Sequence, residues 1–150
     1  MDLILWRHAE AEAGLPDLER RLTAKGERQA ERVGAWLDRH LPATTRVLAS
    51  PADRAQQTAR ALPRKFRVVP ELAPGASAQA VLDAAGWPDA HEPVLIVGHQ
   101  PTLGEVAALV VTGEEAGWSV RKGAVWGLSH RVREGVATTV VKVVIGPDFV

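Results

Sequence analysis

The feature that most constrains this chain is a rhythm of short apolar runs that stop abruptly, each followed by a stretch with helical spacing. The clearest run, 93–98, reads Pro-Val-Leu-Ile-Val-Gly, and His99 follows it at once. Runs of that length bounded by polar or turn residues suit strands buried on both faces. Residues 3–10 behave alike, with Leu-Ile-Leu-Trp giving way to Arg7-His8-Ala9-Glu10. Arg-Val-Leu-Ala-Ser at 46–50, stopped by Pro51, reads as a second strand, and 66–69 as a third.

The intervening stretches read as helices. Residues 11–19 are a polar loop broken by Gly14 and Pro16, after which Thr23 offers an N-cap and Glu27 an early acid. Ala30, Val33, Trp36, Leu37 and Leu41 recur at helical spacing until Pro42, although Gly26 lowers the local propensity. A second helix spans 52–62 and ends at Pro63; 70–75 is a loop. Ser77 caps a third helix carrying Ala80, Val81, Ala84 and Ala85, and Pro101 suits the first turn of a fourth. Strands alternating with helices imply βαβ units and a parallel sheet. The end differs: 124–131 and 136–145 are β-rich and separated by Arg133-Glu134-Gly135, which reads as a hairpin. The expectation is one three-layer α/β domain over 1–150. Its central sheet is mainly parallel and flanked by helices, with the C-terminal antiparallel hairpin at the sheet's edge.

Composition excludes several chemistries. Lys plus Arg and Asp plus Glu are both 18, so no global basic excess points to nucleic acid or an anionic membrane. Cysteine is absent, which rules out disulfides, thiolate catalysis and cysteine-ligated metal. Asp2 stands where a signal peptide carries positive charge, and no apolar run nears the roughly 20 residues of a membrane span. A cytoplasmic protein is expected.

In open α/β sheets, chemistry collects just beyond the carboxyl ends of the strands. Three expected strands end in suggestive residues: Arg7-His8, then Ser50-Pro51 leading to Arg54, then His99-Gln100. Taken singly, Arg54 could be a surface ion-pair arginine and His99 a helix-capping histidine. A shared edge instead brings two arginines and two histidines together beside opening helix N-termini. Guanidinium forks and helix N-termini both suit phosphate oxygens. The expected product is a phosphoryl pocket with an imidazole nucleophile inside it. His40, His91 and His130 fit no such pattern.

Leu-Trp-Arg-His-Ala-Glu resembles the Arg-His-Gly signature of the histidine phosphatase superfamily. Arg-Leu-Thr-Ala-Lys-Gly-Glu-Arg-Gln-Ala, Ser-Pro-Ala-Asp-Arg-Ala-Gln-Gln-Thr-Ala and Val-Gly-His-Gln-Pro are similar to its later segments, in the same order. The short length and the Pro-Glu-Leu-Ala-Pro-Gly loop resemble its small, SixA-like phosphohistidine-phosphatase branch, which lacks large lids. Two departures stand out. Ala9 replaces the usual glycine and would be strained at positive φ; Arg21 replaces a common proline.

The resemblance implies a metal-independent phosphatase that uses no cofactor and works through a covalent phosphohistidine. His8 is implied as the nucleophile. Arg7, Arg54 and His99 would hold the phosphoryl oxygens, with the Gln100 backbone N–H as a further donor. Glu71 is the implied general acid, with Glu10 and Glu105 as weaker candidates. The implied substrate is phosphohistidine in a partner protein, in signalling, with phosphate as product. Small sugar or nucleotide phosphate esters are the alternative, and a non-catalytic phosphate-binding module is a third reading. Neither nucleic acid nor membrane is expected as a partner, and the chain is expected to be a monomer.

Overall fold

The computed structural model describes all residues, 1–150. Ten elements alternate as expected: β1 (Asp2–Arg7), α1 (Ala24–His40), β2 (Arg46–Ala49), α2 (Asp53–Arg60), β3 (Arg67–Val68), α3 (Ala78–Ala85), β4 (Val94–Gly98), α4 (Thr102–Thr112), β5 (Val125–Arg133) and β6 (Val136–Ile145). The six strands form one sheet in the order β3-β2-β4-β1-β5-β6. β1, β2, β3 and β4 run parallel, while β5 pairs antiparallel with β1 and β6 closes the edge. No helix is long and apolar enough to cross a membrane.

The alternation of side chains along the strands divides the core in two. Leu3, Leu5, Leu48 and Ile96 face one way and pack with Val81 and Leu82 of α3 and Leu103, Val106 and Ala107 of α4. Ile4, Trp6, Val47, Ala49, Leu95 and Val97 face the other way, against Val33 and Leu37 of α1 and Ala55 and Ala59 of α2. Helices therefore cover both faces of the parallel strands. Runs such as Val-Leu-Ile-Val are apolar throughout because both sides are buried.

Local chemistry sets the element ends. Thr23 Oγ1 accepts the Gly26 N–H at 2.9 Å, and Ser77 Oγ accepts the Ala80 N–H at 3.1 Å, so both predicted caps form. Gly26 has a second role that propensity hides: a Cβ there would run into the Glu10 carbonyl. The hairpin turn is tighter than the sequence implies. Arg133 stays in β5, and Glu134 and Gly135 alone turn the chain, both at positive φ (51° and 76°). Part of the loop at 70–75 winds into a 3₁₀ turn, Pro70–Leu72.

Candidate active site

Register brings the expected residues together. Arg7 pairs with Gly98 and Ala49 with Val97, so β1, β4 and β2 end level with one another. His8, His99 and Ser50 each lie one residue beyond those ends. The His8 N–H donates to the Gly98 carbonyl at 3.0 Å and the Ser50 N–H to the Val97 carbonyl at 3.0 Å, which extends the ladder under the site. The His8 and His99 rings lie 5.2 Å apart between centroids, tilted by 55°.

Each ring is oriented by one hydrogen bond. His8 Nδ1 lies 2.7 Å from its neighbour's carbonyl, Ala9 O, which can only accept. The proton therefore sits on Nδ1, and Nε2 keeps its lone pair. His99 Nε2 lies 2.7 Å from Ser50 Oγ. Ser50 Oγ also accepts the Ala52 N–H at 3.1 Å, so its own proton is free to go to His99 Nε2. That arrangement puts the His99 proton on Nδ1.

The arginines are held from behind. Arg7 Nη1 donates to the Val120 carbonyl at 3.0 Å. Arg54 Nη1 donates to the Asp17 carbonyl at 2.8 Å, and its Nη2 pairs with Asp17 Oδ2 at 3.1 Å. Three buried polar atoms nevertheless have no partner: Arg7 Nε, Arg54 Nε and His99 Nδ1. Buried donors are almost always satisfied, so three orphans on one cluster call for an acceptor-rich ligand. A tetrahedral oxyanion supplies such acceptors.

Burial and charge tune the same groups. Little of His8 (7%), His99 (5%) or Arg54 (4%) reaches solvent. Burial pushes the His8 pKa down to about 4, helped by the Arg54, Arg7 and Arg20 charges and opposed by the Ala9 carbonyl. His99 is pushed down to about 3, chiefly by burial and then by His8 and Arg54, with Asp17 opposing. Burial and the Arg54 charge also lower the Arg7 pKa. Hydrogen bonds from Arg20 and Arg54 hold the Asp17 carboxyl below its usual range. Both imidazoles are thus neutral at pH 7, as a nucleophile requires.

The segments flanking the cluster are braces. The Ala9 N–H donates to Thr58 Oγ1 at 3.1 Å, and Thr58 Oγ1 donates to the Arg54 carbonyl at 2.8 Å, tying the His8 turn to α2. The Glu10 N–H donates to Gln29 Oε1 at 3.0 Å and the Leu22 N–H to Gln57 Oε1 at 2.7 Å. Thr23 Oγ1 donates to the Glu10 carboxylate at 2.8 Å, which makes Glu10 a loop tether. Ala9 is fully buried at ordinary negative φ, so the strain that glycine would relieve does not arise there.

The remaining expected residues divide. Gln100 follows His99 directly, and its backbone N–H donates to no protein acceptor. Its side chain has a different task, bridging from the Trp118 carbonyl (2.9 Å) to the Gly104 N–H (2.8 Å). Glu71 is exposed in the 3₁₀ turn after β3 and makes no hydrogen bond to the cluster. Its neighbours Leu72 and Ala73 share a small cavity wall with His99. Ser50, Thr58, Asp17 and the Val120 carbonyl were not assigned roles from sequence. Ser50-Pro51 was visible as a strand end. The others act through contacts that span 37 to 113 positions, which no local pattern carries.

Known proteins resemble this chain in sequence and fold. A family model described as histidine phosphatase superfamily (branch 1) matches residues 3–77. A phosphohistidine phosphatase SixA homolog of Haemophilus influenzae is 34% identical over 124 residues, covering 72% of this chain and 76% of that one. An uncharacterized protein of Mycobacterium tuberculosis is 32% identical over 116 residues, covering 73% of each. Among solved structures, the protein histidine phosphatase SixA complexed with tungstate superposes with a TM-score of 0.77 at 25% identity, covering 99% of both chains. Tungstate is a tetrahedral oxyanion.

Proposed function

This chain belongs to the histidine phosphatase superfamily, and we propose that it is a phosphatase that removes the phosphoryl group from phosphohistidine in a partner protein. The observation that carries the reading is the trio of buried, unpartnered donors around a neutral imidazole. A pure phosphate-binding module needs the cations but has no use for a nucleophile whose attacking nitrogen is kept free.

The reaction runs in two displacements. His8 Nε2 attacks phosphorus, the bond from phosphorus to the substrate imidazole breaks, and that imidazole, protonated by solvent on its other ring nitrogen, leaves neutral. Arg7 Nε, Arg54 Nε and His99 Nδ1 take the equatorial oxygens, where charge is spread in the transition state. His8 Nδ1–H stays on the Ala9 carbonyl, so the intermediate is a cationic phosphoimidazole. Its nitrogen leaves readily when water attacks, which releases inorganic phosphate and returns His8 to the neutral tautomer. The chain's own cations neutralise the developing charge, so the proposal involves no metal and no cofactor.

A phosphoramidate needs little help from a general acid, because imidazole departs on simple protonation. An alkyl ester needs a positioned proton donor. Glu71 is the candidate for that role: it is exposed, and the next residue, Leu72, lines the same small cavity as His99. The second reading, a small phosphomonoesterase, rests on that residue. The test is turnover of a phosphohistidine peptide beside alkyl and aryl phosphates, with Glu71→Gln alongside. Phosphohistidine should be preferred and almost indifferent to Glu71→Gln. A preference for alkyl esters that collapses about 10²–10⁴-fold in Glu71→Gln would establish the esterase instead.

A further inference from the structure

Arg7 has two surroundings. Its Nε belongs to the buried cluster, while the residue also lines a cleft of about 770 Å³ between α1, the 117–124 segment and the C-terminal turn Pro147–Phe149. Two cations, Arg121 and Lys122, stand on that cleft. Both are exposed, and neither side chain makes an ion pair or hydrogen bond. Asp148 is the one carboxylate in the lining, and it pairs with neither. Trp126 and the largely exposed Phe149 (84%) give the cleft apolar surface.

The turn that carries these cations is fastened to the catalytic strand. The Arg7 N–H donates to the Ala124 carbonyl at 3.1 Å, and the Gly123 N–H donates to the carbonyls of Arg7 and His8, each at 3.1 Å. Trp6 Nε1 donates to the Gly123 carbonyl at 3.2 Å, and Arg7 Nη1 reaches the Val120 carbonyl at 3.0 Å. Gly123 adopts φ +73°, and a Cβ there would press on the Pro147 ring. The backbone that carries two unpaired cations is thus pinned beside the residue that grips the phosphoryl group. The chain as a whole has zero formal charge, so this edge is a local positive field on a neutral protein.

We propose that the cleft seats an acidic polypeptide segment adjoining the phosphohistidine of the substrate protein, with Arg121 and Lys122 reading its carboxylates. The proposal deepens the phosphohistidine-phosphatase reading and rests on it. Charge complementarity identifies the occupant, because the cleft offers cations and an apolar wall to anything held at Arg7. Preorganisation of the turn means that docking orders no new backbone in this chain. The exposed cations act mainly on encounter and affinity, and salt weakens them.

Two synthetic peptides test it, each with one phosphohistidine, one flanked by Asp and Glu and the other by Ser and Ala. The wild-type protein should favour the acidic peptide roughly 10-fold in kcat/KM at low salt, mostly through KM, and less as ionic strength rises. In the double variant Arg121→Ser, Lys122→Ser that ratio should fall to about one. In Arg121→Lys, Lys122→Arg it should persist. Equal use of both peptides by the wild type, or an unchanged ratio in the Ser variant, overturns the inference while leaving the phosphatase reading intact. Failure to turn over either peptide, with phosphate esters hydrolysed, overturns both.

Discussion

His99 Nε2 meets Ser50 Oγ at 2.7 Å across the level ends of two neighbouring parallel strands, and this contact leaves His99 Nδ1 facing the proposed phosphoryl site. Removing the hydroxyl should free the ring to turn or change tautomer. Ser50→Ala should lower kcat about 10-fold, the effect of losing one such hydrogen bond in the transition state. KM should change little. Retention of full kcat by Ser50→Ala would mean that packing alone orients His99.

Acid should weaken the fold through the two buried imidazoles. Their folded pKa values, about 4 for His8 and about 3 for His99, lie below the ordinary 6.5. Below pH 6.5 the unfolded chain therefore binds protons that the folded chain refuses, and stability falls as pH drops toward about 3. Denaturant titrations from pH 7 to 4.5 should show this loss, and it should be smaller in His99→Gln. Identical slopes in both proteins would place the acid sensitivity elsewhere. The ring resonances of His8 and His99 should also stay constant from pH 6 to 8.

The Asp17 carboxylate occupies one Arg54 N–H and adds a negative charge beside the proposed anion site. Asp17→Asn should tighten competitive inhibition by inorganic phosphate by roughly 3- to 10-fold, since removing a nearby like charge favours the bound anion. The gain should shrink in high salt. Weaker inhibition would show that Asp17 serves chiefly to hold Arg54 in place.

Gly26 lies where α1 meets the loop after His8. Propensity alone says that Gly26→Ala should stabilise an exposed helix by about 1 kcal/mol. The Glu10 carbonyl occupies the space a Cβ needs, so the expected result is a loss of about 1–3 kcal/mol in denaturant unfolding. Stabilisation would mean that the two backbones can separate at no cost.

That glycine shows where sequence reading ran out. The strands at 46–50 and 93–98 were legible because both faces are buried and the apolar runs are continuous. Arg7, His8, Arg54 and His99 were legible as a set because strand ends in a parallel sheet share an edge. The sheet order was not legible, since nothing local says that β4 lies between β1 and β2. The partners of the cluster were hidden for the same reason: Asp17 on Arg54, Val120 on Arg7 and Thr58 under Ala9 are long-range contacts. The backbone at Ala9 was also invisible. Glycine at a turn hints at positive φ, yet here alanine takes an ordinary conformation.

The central claim is that His8 carries the phosphoryl group between substrate and water. The direct measurement is to mix the protein briefly with a labelled phosphohistidine peptide, quench in alkali and locate the label. The account predicts one label per chain on His8, stable in alkali and lost in acid, with neither label nor turnover in His8→Ala. Label on another residue, or undiminished turnover in His8→Ala, would contradict it.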